Sequence, residues 1–405
     1  MNRSLNNLLV LISSLLLIHC SSTPKEIEIE NPANEHGKYP RLFTDNTGTV
    51  FMSWMETVSD TTFLYYAKYN GERWTEPMLI SSSDSWFVNW ADYPSIIAQN
   101  GKPMASHWLQ KKPGGTYSYD VAIATYNGSA FSDPLTPHTD NTPTEHGFVS
   151  MQPISEDSFY AIWLDGRNMK SGHGHVSGEQ ETNLDHAMTL RGTMITPDKP
   201  VSDQVIDQSV CECCGTTLVN TNNTLIAAYR NRSAEEIRDI YVSTMNLETG
   251  KWTEGKNISN DNWKIAACPV NGPVLAANDQ LVALAWFTGA NDTAKVKLRT
   301  STNLGDSWHQ IQELEAETPL GRVDVTITSD NVIWVTWMSR SDDSAVLKIA
   351  SFDEYGNRRS LQIVDQVSAS RSGGFPQLEV IGNSKILAWT DASTDRPRIK
   401  TKIIR

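Results

Sequence analysis

Basic residues are scarce in this sequence: 34 lysines and arginines stand against 47 aspartates and glutamates, and the formal net charge is −13. This balance argues against nucleic acid as the main partner, because nucleic-acid-binding proteins carry a basic surface. Long hydrophobic runs are also scarce. The run at residues 8–18 is too short to cross a bilayer, and polar residues are spread through the rest of the chain, which excludes an integral membrane protein. No repeating segment of the chain keeps a hydrophobic period of 3.6 residues, which excludes a helical solenoid.

Cysteine is rare too, and the first of the five cysteines, Cys20, ends the hydrophobic leader. The segment Leu17-Ile18-His19-Cys20 resembles a bacterial lipobox. The resemblance implies cleavage before Cys20 and a diacylglyceryl group on its sulfur. We therefore expect a signal peptide at residues 1–19, a lipidated tether at 20–25 and the folded domain at 26–405. The alternative is an ordinary secretory signal whose cysteine is incidental.

Both interpretations place the chain outside the cytoplasm, where thiols can be oxidised. We expect a location in the bacterial cell envelope, facing the periplasm or the cell surface. With a lipidated Cys20, contact with the membrane would be through the anchor alone. The four cysteines that remain form an even set, which permits disulfides.

An aromatic residue closes a β-rich unit at seven places, with spacings of about 51 to 66 residues. These closing aromatics are Trp54, Trp108, Trp163, Tyr229, Trp286, Trp337 and Trp389. A period of this size indicates a repeat architecture, and turns such as Asn70-Gly71 are typical of tight hairpins. Each unit then holds two hairpins. We predict an all-β fold at residues 26–405, a single β-propeller of four-stranded blades, with seven blades favoured and six as the alternative.

The last unit lacks a strand, because little chain remains after Trp389. The segment Lys25–Glu30 alternates between apolar and charged residues, as a half-buried strand does. We predict that Ile27 and Ile29 pair with the segment Ile399–Ile403. This pairing would close the ring and remove an open sheet edge.

One turn carries a family resemblance. The segment Ser301–Trp308 resembles the Asp-box, S-x-D-x-G-x-T-W, of sialidase-like (BNR/Asp-box) propellers, with Asn303 in place of the aspartate. The resemblance implies the sialidase-like fold, and it implies a glycoside hydrolase of sialidase-like type if the protein is an enzyme. Sialidases carry an early Phe-Arg-Ile-Pro-like segment, whereas Tyr39-Pro40-Arg41-Leu42 has proline before arginine. Arg41 stays a candidate member of an arginine triad, and whether the protein is an enzyme stays open.

Counting back 17 or 18 residues from each closing aromatic reaches the segment before a first strand. Because first strands line the channel of a propeller, these positions share one face. We therefore predict a cluster at the channel mouth that contains the four remaining cysteines and two histidines. Its members would be Cys211, Cys213, Cys214, Cys268, His146 and His36, with His146 as the nearest imidazole.

The cluster has three interpretations. Disulfides could link neighbouring blades, for example from Cys211 or Cys213 to Cys268. Thiolates with imidazole help would instead form a soft site for copper or zinc. The third interpretation is a catalytic thiol. A cofactor therefore stays unassigned, with Cu or Zn as the candidates.

Loops that follow the closing aromatics reach the same face and carry many arginines. Arginines gathered there would form a fork-shaped receptor for carboxylate or sulfate. The candidate ligand-binding residues are Arg41, Arg167, Arg230, Arg232, Arg238, Arg371 and Trp90. The catalytic candidates are Asp165, Arg230, Arg232, Asp239 and Arg371.

These features give one leading function and two alternatives. The leading function is a cell-envelope lipoprotein whose cysteine and arginine face binds an anionic small molecule or glycan, with hydrolysis left open. The first alternative is a protein that binds Cu or Zn through the cysteine and histidine cluster. The second is a non-catalytic scaffold whose cysteines form structural disulfides.

Overall fold

The computed structural model describes residues 26–169, 183–197, 202–316 and 318–405. The expected signal peptide and tether, with Cys20, lie outside the described residues. Seven sheets surround a central channel, so the predicted all-β, seven-bladed propeller is confirmed and the six-bladed alternative is wrong. Within the described ranges, no helix is long and apolar enough to span a membrane.

The first three blades follow one another along the chain. Strand β1 (Glu26–Ile29) precedes them and belongs to blade 7. Blade 1 contains β2 (Gly37–Thr44), β3 (Val50–Val58), β4 (Thr61–Tyr69) and β5 (Met78–Ser83). Blade 2 contains β6 (Ile96–Gln99), β7 (Lys102–Lys111) and β8 (Tyr119–Thr125), and an isolated bridge between Ile123 and Leu135 takes the outer position. Blade 3 contains β9 (His146–Pro153), β10 (Phe159–Asp165), β11 (Met188–Ile195) and β12 (Gln204–Val210).

The remaining blades complete the ring. Blade 4 contains β13 (Thr217–Thr221), β14 (Thr224–Arg230), β15 (Ile240–Asn246) and two short outer strands, β16 (Lys251–Trp252) and β17 (Lys256–Asn257). Blade 5 contains β18 (Val274–Ala277), β19 (Val282–Thr288), β20 (Lys295–Ser301) and β21 (Gln312–Ala316). Blade 6 contains β22 (Pro319–Ile327), β23 (Ile333–Ser341), β24 (Ser344–Phe352) and β25 (Arg358–Val367). Blade 7 contains β26 (Gln377–Ile381), β27 (Ser384–Asp391), β28 (Arg398–Ile404) and β1. Short 3-10 helices lie at Leu184–His186, Ala290–Asp292 and Arg371–Gly373.

The closing aromatics occupy equivalent places. All seven lie in the second strand of their blade, and every one of them is buried. The cluster around Trp54, for example, joins blade 1 to Ile386 and Ile399 of blade 7. Large buried rings between neighbouring sheets contribute strongly to a core, so the repeat recognised in the sequence is the repeat that packs the blades.

Strand β1 closes the ring as predicted. It pairs with β28 in an antiparallel ladder, with Ile27 opposite Ile403 and Ile29 opposite Thr401. The Thr401 hydroxyl donates to the Ile29 carbonyl at 2.9 Å, and Lys402 lies 3.2 Å from the Glu26 carboxylate. The amino-terminal strand therefore covers the edge that β28 would otherwise expose.

A backbone irregularity recurs where first strands begin. Tyr39, Phe148 and Arg322 have φ values of 56°, 52° and 52°, in the left-handed region, at the same sequence distance before their closing aromatics. The ladder register shifts beside each of them. Such bulges re-aim side chains, so they decide which residues face the channel entrance.

Candidate functional site

Most of the candidate residues meet at one end of the channel. In each blade the first strand runs away from this end and the antiparallel second strand returns to it. The segment before a first strand and the loop after a second strand therefore lie together, and we call this end the mouth face. Cys211–Cys214 precede β13, Cys268 precedes β18 and Arg371 precedes β26.

The four cysteines come together between blades 4 and 5. The Cys211 and Cys214 sulfur atoms are 3.4 Å apart, and with the Cys213 sulfur they form a group whose atoms all lie within 4.8 Å of one another. The Cys268 thiol is a hydrogen-bonding neighbour of Cys213. None of the four is bonded to another; Cys211 and Cys214 are buried, and Cys213 and Cys268 are partly exposed.

Charged side chains fix the cysteine segment. The Glu212 carboxylate pairs with Arg232 and accepts from Arg238 at 2.9 Å. The same Arg238 guanidinium donates to the Cys211 sulfur at 3.3 Å. The backbone N–H of Cys211 donates to the Arg230 carbonyl at 2.9 Å. The cysteine segment is therefore held by the loop that carries Arg232 and Arg238, and the Arg238 guanidinium contacts the Cys211 sulfur.

Two glycines allow the segments from blades 4 and 5 to approach each other. A Cβ at Gly272 would lie 2.7 Å from the Gly215 carbonyl carbon and 2.8 Å from the Gly215 nitrogen, and closer still to its oxygen. These distances are far below ordinary carbon contacts. The absence of a side chain at Gly272 thus lets the Cys268 segment reach the Cys211–Cys214 segment.

The thiols differ in acidity. Burial by itself raises the pKa of Cys211, but hydrogen bonds from Cys213 and Cys214 and the charge of Arg238 hold that pKa well below its ordinary value. Hydrogen bonding to Cys211 raises the pKa of Cys213, and burial raises the pKa of Cys214. The surroundings therefore favour the thiolate form of Cys211 over that of its two neighbours, and Arg238 lies beside it to compensate the charge.

The arginines of blade 4 have structural partners, so their predicted role in holding a ligand needs correction. Arg230 is buried and donates to the carbonyl oxygens of Arg238, Asn271 and Phe287, at 2.6, 2.8 and 2.8 Å. Arg232 and Arg238 both pair with Glu212 and Glu236. These guanidinium groups stabilise the loops and are not open to an anion.

His146 lies in a second cluster, between blades 2 and 3, and not beside the cysteines. Its ring stacks on His138 at 3.9 Å, and its Nε2 lies 3.3 Å from Asp140 and 3.7 Å from Asp165. Arg167 belongs to the same cluster, and its Nε lies 2.7 Å from Asp165. Burial opposes ionisation of Asp140, but hydrogen bonds from both histidines leave its pKa far below the ordinary value. Asp165 and Arg167 are therefore members of a buried ion network.

Two further predictions about the mouth face also need correction. His36 is exposed, with its nearest charged neighbour, Glu35, at 3.8 Å, and it lies outside the cysteine group. The Asp239 carboxylate accepts from the backbone N–H groups of Asn262 and Trp263, at 3.0 and 3.1 Å. The Asp239 carboxylate therefore stabilises the loop at Asn262 and Trp263, and both of its oxygens are occupied by these hydrogen bonds.

The arginines near Trp90 are arranged differently. The Trp90 ring stacks on Phe375 at 5.7 Å, and the guanidinium groups of Arg322 and Arg371 lie 5.1 and 5.9 Å from its centroid. Arg322 donates to the carbonyl oxygens of Ser370 and Gly374. Among the described residues, neither arginine has a carboxylate partner within 4 Å. Sequence reasoning missed Arg322, because only the bulge at its left-handed φ turns it toward the mouth.

Arg41 lies farther inside, in a channel cavity of about 390 Å³ lined by the first strands of all seven blades. It is hydrogen-bonded to Tyr93. Burial raises the pKa of Asp324 to about 6, and burial with the charge of Asp324 raises the pKa of Glu379 to about 7. The positive charge of Arg41 opposes both shifts, so Arg41 compensates the acidic lining of the channel.

The sequence matches no protein-family model and no curated protein. Among solved structures, polysaccharide lyase Uly1 is similar, with a TM-score of 0.52, 7% identity and coverage of 91% of this chain and 90% of that one. The two proteins share a fold. An arabinanase, Penicillium chrysogenum α-L-arabinanase, is also similar, with a TM-score of 0.47, 10% identity and coverage of 95% and 98%. So is Trypanosoma rangeli sialidase, with a TM-score of 0.47, 9% identity and coverage of 81% and 56%.

The propeller fold that the resemblance of Ser301–Trp308 implies is the fold that the structure has. The turn shows what Asn303 does at the position where the expected motif has aspartate. The Asn303 side-chain oxygen accepts from the Ser307 N–H at 2.9 Å, and the Ser301 hydroxyl accepts from the Gly305 N–H at 2.9 Å. Identities this low establish architecture and leave activity to be argued from the site.

Proposed function

We propose that the protein is a carbohydrate-binding propeller of the bacterial cell envelope, and that it holds an anionic glycan through the exposed Arg371 beside Trp90, with the positive charge of the buried Arg322 close behind it. The observation that carries this proposal is the pair of guanidinium groups near one indole, without a carboxylate partner among the described residues. The glycan part rests on the shared fold, since the lyase with the similar structure acts on a polysaccharide.

The electrostatics favour an anion at this place. Burial, and then the positive charge of Arg371, lower the pKa of Arg322 to about 10. The two charges therefore repel each other, and an anion bound by Arg371 would relieve that repulsion. A carboxylate or sulfate on a sugar can accept from a guanidinium in a bidentate manner. Arg371 is the exposed member of the pair, so it would make the direct contact.

Trp90 has a positioning role in this proposal. Phe375 and two guanidinium groups already approach its ring, so the indole offers little bare surface for a sugar. Cation–π attraction holds the arginines over it. Trp90 would thus preorganise Arg371, which increases affinity by reducing the entropy lost on binding.

The location in the cell envelope is part of the proposal. Leu17-Ile18-His19-Cys20 supports lipidation at Cys20, with a signal peptide at 1–19 and a tether at 20–25. A lipid anchor would hold the propeller at the envelope, where glycans are accessible. Hydrolysis of the bound glycan would be a further property, which release of reducing ends from the same oligosaccharides would measure.

Calorimetric titration with sulfated or uronic-acid oligosaccharides, and with neutral ones of equal length, tests the proposal. We expect binding of the anionic series alone, weakened by salt. Arg371→Ala should weaken it about tenfold or more, because a charged hydrogen bond is worth roughly 1.5–3 kcal/mol. Arg340→Ala is the matched control, since Arg340 is also exposed near the mouth face but does not approach Trp90. Equal binding of neutral oligosaccharides, or an unchanged Arg371→Ala variant, would refute the site.

A further inference from the structure

We propose that Cys211, Cys213, Cys214 and Cys268 bind one thiophilic metal ion, Cu(I) or Zn(II), between blades 4 and 5 of the mouth face. This site is separate from the arginine pair at Trp90. The proposal does not depend on a glycan ligand.

The sulfur positions suit a single ion. Zinc–sulfur bonds of about 2.3 Å place neighbouring sulfur atoms around one ion roughly 3.8–4.0 Å apart. The Cys211 and Cys214 sulfur atoms are 3.4 Å apart, and the group of three spans less than 4.8 Å. Movements well below 1 Å would bring three sulfurs into coordination. Cys268, next to Cys213, supplies a fourth ligand for a tetrahedral ion.

The donors around the site select a soft cation. Among the described residues, the candidate ligand atoms that group at this point are the sulfurs of Cys211, Cys213 and Cys214, and thiolates favour Cu(I) and Zn(II) over hard ions such as Mg²⁺ or Ca²⁺. The carboxylate of Glu212, within the cysteine segment, is engaged by Arg232 and Arg238. His146, the imidazole expected there, lies in its own cluster with Asp140. The site is therefore an all-sulfur one.

The surroundings compensate the charge of the thiolates. Arg238 donates to the Cys211 sulfur at 3.3 Å, and its own orientation is fixed by Glu212 and Glu236. Hydrogen bonds of this kind, one step outside the ligands, orient metal sites and tune their affinity. The buried Arg230 joins blade 4 to the Asn271 carbonyl of blade 5, close in sequence to Cys268. The scaffold is thus rigid on both sides of the sulfurs.

An entry path is present as well. Cys213 and Cys268 are partly exposed, whereas Cys211 and Cys214 are buried. An ion delivered from solution or from a carrier would meet Cys213 and Cys268 first and then pass inward to the buried pair. Each coordinating thiol releases its proton on binding.

Metal content and coordination test this proposal on the full chain. Protein isolated without added metal, then reduced and stripped under anaerobic conditions, is titrated separately with Cu(I) and Zn(II). We expect one ion per chain, and X-ray absorption should show three or four sulfur ligands at about 2.3 Å. Cys213→Ser removes a sulfur ligand and should lower the affinity by more than the roughly 10–100-fold that loss of an outer-shell partner costs. His36→Ala is the matched control and should bind like the parent.

The outcomes are distinct. Three sulfurs in both the parent and Cys268→Ser would assign Cys211, Cys213 and Cys214 as the ligands, and a change from four to three would add Cys268. Either result supports the site, and the better-retained ion identifies the metal. The proposal is overturned if the reduced parent binds less than about 0.1 ion per chain. It is also overturned if thiol counting finds disulfides among these cysteines, and no metal, in protein isolated from the envelope. Metal content and thiol state are both measured on the parent protein, so the proposal can still be refuted if a variant fails to fold.

Discussion

Replacing Gly272 by alanine perturbs the contact that brings the cysteine segments together. The new Cβ would lie 2.7 and 2.8 Å from the Gly215 carbonyl carbon and nitrogen, and closer to the oxygen. Comfortable carbon contacts are about 3.5–4.0 Å, so the segments must separate by roughly 0.7 Å or more. The opposing atoms are all backbone, and no side-chain rotation can relieve the collision.

The expected cost is that of overpacking a rigid interior, typically about 1–3 kcal/mol, and we place Gly272→Ala in the upper half of that range. For a chain of this length, this predicts a fall in Tm of roughly 2–4 °C. Gly215→Ala is the matched control. A Cβ at Gly215 meets nothing within 4 Å, and its φ is not in the left-handed region, so its stability should change by less than about 0.5 kcal/mol.

Thermal unfolding of the two variants and the parent measures this difference, and metal titration of the same samples adds a second readout. Separation of the segments also moves Cys268 away from Cys213, so Gly272→Ala should bind metal more weakly than Gly215→Ala. Equal Tm values and equal metal binding in the two variants would show that blades 4 and 5 do not approach each other through these glycines.

Three other predictions concern the channel, the ring closure and the anchor. Because burial and Asp324 raise the pKa of Glu379 from 4.5 to about 7, its stabilising contribution is present below pH 4.5 and lost as the pH rises through 7. Glu379→Gln should therefore match the parent near pH 4 and exceed its stability at pH 8 by about 1–3 kcal/mol; parallel stability curves from denaturant titrations would contradict this. Deletion of residues 26–31 should lower the Tm by several degrees and promote association through the exposed edge of β28, whereas an equally stable monomer would count against the closure. Cys20→Ala should move the protein from the membrane to the soluble fraction, and unchanged fractionation without lipid on the amino-terminal peptide would exclude the anchor.

The blade architecture could be predicted because its signal is periodic and local. Aromatic residues such as Trp54 and Trp389 recur at similar spacing and occupy the same strand of their blades. The alternation in Glu26–Ile29 likewise predicted an outer strand, which the ladder with β28 contains. Both features depend on short-range patterns of hydrophobicity, which determine strands before any long-range packing is known.

The candidate site was harder to predict, because equivalent positions in a ring need not point the same way. Counting residues placed Cys268 near Cys213, where the structure has it. The same count placed His146 beside the cysteines, yet its ring turns toward His138 and Asp140 of the neighbouring blade. Arg322 carried no sequence signal at all, since its direction is set by a positive φ within a bulge. Side-chain direction at a strand entrance depends on such local backbone changes.

The ring closure by β1 also bears on how the molecule would be oriented by the lipid proposed at Cys20. Glu26 pairs with Ile404, which pairs with Lys385 near the start of β27, whereas β27 ends at Asp391 on the mouth face. The first residue of β1 is therefore on the rear of the disc. From Cys20 to Glu26 an extended chain reaches at most about 20 Å. A lipid on Cys20 would hold the rear of the disc against the bilayer, so that the arginines and thiols point into the aqueous space, where soluble glycans and metal carriers diffuse.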